Sequence, residues 1–410
     1  MTSCDIVNVG GGVGGSALAC ALAATDLRIE LIEREIEFVD RVRGEFIAPW
    51  GVVEARKLGI YDTLMAAGGH HVLRSVVYDE AIPPESAATQ MLDLSTFVPG
   101  VPGPLCMQHV AMQNALIDLA AKLGVNVRRG TSEVTINPGH TPRVDYTWRG
   151  ERCGTDCRLI VGADGRTSQV RRQTGLALVE DEIDHLVSGL LVDCADDWPA
   201  DTQAFGKLGD IMFLAFPQGE GRVRLYVEYA LSARGNYAGD AGARRLLKAL
   251  DHAHLAGSTA FTGARPIGPC KAFPSQHAGA TGVHIEGAVL IGDAAGYTDP
   301  IWGQGLSVTL RDARMVRDLL LSHSEWPADI FDTYAAERAE RLRRIRYETR
   351  FATALYARFD AESNAARLRA LSRMAEDPAL GAMLVAGMAG PDALPADVFS
   401  DAFHARLFAP

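Results

Sequence analysis

The chain has 410 residues, 48% hydrophobic and 22% charged, with 40 lysines and arginines against 51 aspartates and glutamates. This is ordinary globular composition with enough length for two domains, and the formal charge of −11 argues against nucleic acid or an anionic membrane as partner. No run approaches the roughly 18 apolar residues of a membrane-spanning helix, and the odd, scattered set of seven cysteines fits a reducing cytoplasm and completes no zinc set, so no metal is expected.

Residues 5–9 form an apolar run that predicts a buried parallel strand, with no room for a signal peptide before it. Gly10, Gly12 and Gly15 then fall in G-x-G-x-x-G register, with Val13 and Gly14 inside the turn. Gly10 permits the tight turn, Gly12 lets a pyrophosphate approach the backbone, and Gly15 lets the helix over 16–24 pack on the sheet. That helix offers free N–H groups and a positive dipole end to phosphate. A second strand, 27–32, ends at Glu33 beside Arg34, where a carboxylate can bind a ribose diol and repel a 2′-phosphate. Trp50 follows in an APWG segment.

Residues 73–105 carry prolines and irregular patterning. A helix is expected over 110–123 and a strand over 159–161, followed by Asp164-Gly165 with Ser168 and Arg171. Residues 176–275 read as an antiparallel sheet, clearest in the hairpin of strands 211–216 and 223–229 around a turn at 218–221. Alternation places Arg224, Tyr226 and Glu228 on one face of it. A strand over 288–291 delivers Gly292 and Asp293 to its carboxyl end, where α/β sheets bind ligands. Asp299, Pro300, Gly303 and Gly305 precede a helix over 306–321 that opens at Leu306. Residues 326–410 are mostly helical, and the Arg- and Glu-rich stretch 337–350 reads as a solvated helix face.

These three glycine motifs, taken together, resemble those of the flavin-dependent aromatic hydroxylases of the para-hydroxybenzoate hydroxylase type, from Asp5 to about Arg338. The resemblance implies a Rossmann-like FAD-binding domain of the glutathione-reductase type over 1–72, 106–175 and 276–322. It implies an interleaved antiparallel-sheet substrate domain over 73–105 and 176–275, and a helical C-terminus over 326–410. It implies non-covalent FAD held by Gly10, Gly12, Val13, Gly14, Gly15, Glu33, Arg34, Arg43 (with Arg41 second), His109, Gln113, Asp164, Gly292, Asp293, Pro300, Gly303, Gly305 and Leu306. His109 stands where the family has arginine, and Gly296 where its hydroxylases have histidine. Tyr334 and Arg338 match a pair that anchors the C-terminal helix.

The activity implied is that of a monooxygenase. NAD(P)H would be a transient co-substrate without a fold of its own, O2 would add to reduced flavin as a C4a-hydroperoxide, and one oxygen would pass to a phenolic or polycyclic aromatic small molecule. Arg43, Pro300 and Trp302 are candidates for the reacting region. Trp50, Arg224, Tyr226, Tyr297 and Trp302 are candidates for the substrate wall, with Ile301 beside them. A geranylgeranyl-reductase-like flavin reductase and a flavin-dependent halogenase are the alternative readings, although none of the five tryptophans lies in the halogenases' W-x-W-x-I-P segment.

Overall fold

The computed structural model describes residues 2–42, 44–80, 82–193 and 197–409. Along the chain, β1 (Ile6–Val9), α1 (Val13–Leu22) and β2 (Ile29–Glu33) form the first βαβ unit. Then come α2 (Pro49–Lys57), β3 (Arg74–Asp79), α3 (His109–Lys122), β4 (Asn126–Arg129) and β5 (Leu159–Gly162). β6 (His185–Asp193), β7 (Thr202–Leu208), β8 (Ile211–Pro217), β9 (Val223–Ala230) and β10 (Lys271–Ser275) follow. The chain closes with β11 (Ala288–Leu290), α4 (Gly305–Ser322), α5 (Asp332–Tyr356), α6 (Ala361–Glu376) and α7 (Met383–Ala389).

β1, β2 and β5 are buried at every position, as strands covered on both faces must be. They lie in a sheet ordered β11-β5-β1-β2-β4, parallel throughout, with a short antiparallel edge at His284–Ile285. The three glycine motifs leave the carboxyl ends of β1, β5 and β11. These are neighbouring strands, so segments some 150 and 280 residues beyond the first motif meet it at one end of one sheet. α1 opens at Val13, three residues before the expected start, because Gly12 is already its extended N-cap. Gly15 sits so close to the β1 turn that a Cβ there would lie 2.0 Å from the Gly10 carbonyl oxygen.

The second sheet runs β6-β9-β8-β7-β3, with β10 and Arg265–Pro266 beyond β6. It is antiparallel except where β3, arriving from far upstream, lies parallel to β7. One face packs against its own helix, Gly239–Leu250, through Leu225, Val227 and Leu246. The other face turns toward the first sheet and the C-terminal helices, where Phe205 and Met212 join Trp302, Phe351, Leu355 and Met383 in one apolar cluster.

The stretch 337–350 departs from the expectation of a solvated face. Arg338, Arg341 and Glu348 are buried. Arg338 donates to the carbonyls of Gly292, Ala295 and Gly296 and to Asp312, and Arg341 donates to Asp312 as well. Asp312 in turn accepts the Gly292 N–H at 2.8 Å. Burial works against its charge, but the two guanidiniums outweigh that and hold its carboxyl below the usual range. Tyr334 donates to the Leu290 carbonyl at 2.9 Å. α5 is thus fastened to the turn after β11 by a buried ionic knot, and charge density in the sequence gave no sign of which residues face inward. Among the described residues, no helix is long and apolar enough to cross a membrane.

Candidate functional site

A cavity of about 520 Å³ opens at the carboxyl end of the parallel sheet and continues beneath the second sheet. At the first motif it is lined by Gly10, Gly12, Val13 and Gly14. A Cβ on Gly12 would meet nothing within 4 Å, so its backbone faces open space at the N-terminus of a ten-residue helix, the arrangement that binds phosphate. Gly15 does not line the cavity; its role is the close contact with Gly10. Glu33 does line it, and its carboxylate is fixed by accepting the N–H groups of Gly11 at 2.7 Å and Glu35 at 2.8 Å. Arg34, Arg41 and Gln113 line the same end. His109, at the start of α3, is held by its Nδ1 against the Gly44 carbonyl oxygen at 2.7 Å and presents the rest of its ring to the cavity. Arg43 lies outside the described residues.

The second motif acts chiefly on its own turn. The Asp164 carboxylate lines the cavity but accepts from Ser168 Oγ and from the N–H groups of Gln169 and Val170. Arg171 donates to the carbonyls of Arg166 and Ala294, tying the second motif to the third. The third motif supplies Gly292, Asp293, Tyr297, Pro300, Trp302, Gly303, Gly305 and Leu306 to the wall. Arg166 reaches Asp293 at 3.1 Å and stacks 4.3 Å from the Tyr297 ring centroid. Gly305, like Gly12, has nothing within 4 Å of its Cβ position and opens the eighteen-residue α4. Two helix N-termini with bare backbone on one cavity wall, and an oriented carboxylate beside the first, fit a long, phosphate-bridged dinucleotide. Replacing Asp293 with alanine is expected to weaken FAD binding by about tenfold to a hundredfold, the loss of a hydrogen bond to a charged group at roughly 1.5–3 kcal/mol. Titration of the apoprotein by flavin fluorescence reads it, and an unchanged dissociation constant removes Asp293 from the site.

The roof is the second sheet. Phe205, Leu214, Phe216 and Phe273 give it an apolar surface, and Gln203, Tyr226 and Glu228 are the polar groups it shows. Two sequence-based candidates belong elsewhere. Trp50 lies outside the cavity lining: it is buried among Ala48, Val308 and Ile345 and donates to Gln304 Oε1 at 2.8 Å. Arg224 also lies outside the lining: it is fully buried and paired with Glu45, at 2.5 and 2.6 Å, and with Asp40 at 3.3 Å. Its partner Glu45 does line the cavity. Burial raises the Glu45 carboxyl, and the pull of Arg224 only partly offsets this. Burial, followed by the charge of Glu45, pushes the Tyr226 hydroxyl well above its ordinary value. Gln304 lies between the motif glycines Gly303 and Gly305, and Glu45 two residues after Arg43, yet neither was singled out in the sequence. Gln304 is fully buried and joins Trp50, the Trp302 carbonyl and the Gly387 carbonyl, so it seats the third motif on α2 and α7.

Known proteins share this design. Squalene epoxidase 3 of Arabidopsis thaliana is 27% identical over 324 residues, covering 78% of this chain and 60% of its own. The 6-methylpretetramide 4-monooxygenase of Streptomyces rimosus is 26% identical over 368 residues, covering 86% and 62%. The chain therefore spans about 60% of the length of these curated relatives. The structure of p-nitrophenol 4-monooxygenase from Pseudomonas putida DLL-E4 has the same fold, with a TM-score of 0.78 over 96% of this chain and 99% of its own at 16% identity. A flavin-dependent halogenase and a flavin-dependent brominase share the fold too. The family described as FAD binding domain matches residues 3–349, and it is to this family of flavoproteins that the chain belongs.

Proposed function

We propose that the chain is an FAD-dependent monooxygenase that consumes NAD(P)H and O2 and inserts one oxygen atom into an aromatic, phenolic or polycyclic small molecule. The observation that carries this is the continuity of the cavity: the dinucleotide cradle and the apolar roof are two ends of one space, so a flavin seated in the cradle presents its ring to a substrate held under the roof. FAD supplies the oxygen-activating chemistry when bound. The protein's share is orientation and exclusion of water. Gly12 and the α1 N-terminus would take the pyrophosphate, Glu33 a ribose, Asp293 the ribityl hydroxyls, and the α4 N-terminus at Gly305 an anionic ring edge. Ile301, Trp302 and Phe205 dry the inner wall, which protects a reactive oxygen species from hydrolysis.

The roof favours a substrate with polar substituents. Gln203, Tyr226 and Glu228 give such a substrate polar groups to meet, with Tyr226 held by Val42 and Glu45 and Glu228 by His185. The test is a substrate panel of hydroxylated polycyclic aromatics with NADH and NADPH under 18O2. The expected result is NAD(P)H oxidation with one labelled oxygen in the product, from a yellow protein that releases all its flavin on acid precipitation. Double-bond reduction without oxygen uptake would assign a reductase instead, and turnover that requires chloride or bromide would assign a halogenase.

A further inference from the structure

Where β6, β9 and β10 meet at the edge of the roof, ionisable and polar side chains collect behind an apolar surface. Val187 pairs with Glu228 across β6 and β9, and His185 with Ala230, so His185 and Glu228 are diagonal neighbours on the same face of the sheet. Tyr226 is on that face as well, one pleat away. His185 Nε2 lies 2.9 Å from Glu228 Oε2, and both side chains are about 1% exposed. Glu228 also contributes to the cavity wall. Directly opposite His185 on β10 stands Ser275, also buried. Among the described residues, His185 Nδ1, Ser275 Oγ and the cavity-lining Thr298 Oγ1 have no hydrogen-bond partner. Buried polar atoms without partners are uncommon, and a cluster of them at a cavity is a mark of use rather than of stability.

The charges facing the pair are few. Asp299, from the third motif, acts on both residues, and Asp184, which is ion-paired to Arg358 at the surface, acts on His185. Burial disfavours the imidazolium, but Glu228 outweighs it and lifts His185 to about 9. Burial raises the Glu228 carboxyl, and His185 opposes that rise. The two groups thus form a buried ion pair whose carboxylate can receive a proton.

We propose that Glu228, positioned by His185, is the base of this cavity and takes the proton of a substrate hydroxyl. The substrate O–H bond breaks, an O–H bond forms on the Glu228 carboxylate, and the electron pair stays on the substrate oxygen. The pair goes from net zero to plus one, balanced by the oxyanion beside it. In a phenol that oxyanion pushes electron density into the ring, which is what an electrophilic oxygen donor requires. The inference rests on the monooxygenase reading for its purpose, and on ligand binding alone for its test.

The probes are 2-naphthol and 2-methoxynaphthalene, in which a methyl group replaces the hydroxyl proton, measured against the oxidised FAD-loaded protein by equilibrium dialysis between about pH 6 and 8.5, below the range where a naphthol ionises freely. Wild type should prefer the naphthol by about tenfold or more, as expected for a hydrogen bond to a buried carboxylate. Glu228→Gln should lose that preference at every pH while keeping its flavin and its affinity for the methyl ether. In His185→Gln the carboxyl loses the cation that keeps it ionised and its pKa rises further, so the preference should vanish near neutrality and return at higher pH. Equal affinities of the two probes for wild type, absence of binding included, overturn the proposal, as does a preference that survives in Glu228→Gln. If Glu228→Gln loses its flavin, the pH displacement in His185→Gln decides, because a merely structural histidine would leave the profile where it was. Failure of the monooxygenase reading shows separately, as absence of labelled oxygen in products, and leaves the probe comparison intact.

Discussion

Alanine at position 12 is expected to abolish FAD retention while leaving the melting temperature of the apoprotein where it was; alanine at position 15 is expected to damage the fold itself. The two glycines are three residues apart in one motif and differ in what surrounds them. The space at Gly12 is empty to 4 Å, so a methyl group is accommodated without strain but occupies the volume a phosphate needs. Losing two charge-assisted hydrogen bonds at roughly 1.5–3 kcal/mol each lowers FAD affinity by about a hundredfold to ten-thousandfold. At Gly15 the methyl would lie 2.0 Å from the Gly10 carbonyl oxygen and 3.1 Å from Ala163 Cβ. Backbone cannot step aside as a flexible side chain can, and the overpacking costs about 1–3 kcal/mol or more. Flavin titration and thermal melting on both apoproteins read the contrast. A Gly12→Ala protein that still purifies yellow would mean the pyrophosphate lies elsewhere.

That contrast also marks what the sequence could and could not show. Gly10 and Gly292 are legible because their backbone conformation favours a residue without Cβ, Gly12 and Gly305 because they leave open space at a helix N-terminus, and the spacing of such residues is visible in one dimension. The roof hairpin is legible too, since a period of two placed Arg224, Tyr226 and Glu228 together before any coordinates did. Which of the three meets the ligand was not legible. Arg224 is claimed by Glu45, 179 positions upstream, and Glu228 by His185 on a strand that carries no motif. Trp50 was misplaced for a related reason: an aromatic on a short helix can face a cavity or a core, and here Gln304, 254 positions away, decides the matter. The stretch 337–350 misleads because the partners that let Arg338 and Arg341 be buried, Asp312 and the carbonyls of Gly292, Ala295, Gly296 and Val308, lie on other elements.

Trp302→Ala should produce the other large effect, and it should be double. Trp302 lines the cavity, yet it also packs edge-on against Phe205 at 5.4 Å and Tyr356 at 6.4 Å, joining the third motif to the roof and to α5. Removing it should therefore cost about 3–5 kcal/mol of stability and also admit water at the inner wall. NAD(P)H consumption should continue, product per NAD(P)H should fall, and H2O2 should rise, with flavin content near wild type below the new melting temperature. Measuring H2O2 yield, coupling and melting on the same preparation separates the two roles. Lowered stability with coupling unchanged would confine Trp302 to the core and move the water barrier to Ile301 and Phe205.

The strand order of the parallel sheet has a consequence in time. β1, near the start of the chain, has β5 as its neighbour, and β5 in turn needs β11, some 280 residues after β1. At roughly 5–20 residues per second of synthesis, the first βαβ unit waits on the order of fifteen to sixty seconds for the strand that completes the flavin end of its sheet. The ionic knot on Asp312 needs Arg341 as well, so the turn carrying Asp293 is not fastened until α5 has left the ribosome. The whole of the proposed flavin cradle therefore exists only once more than four-fifths of the chain has been made. A ribosome that stalls earlier leaves apolar strands with one side uncovered, which makes the nascent chain a client for chaperones rather than an early, independently folding FAD domain.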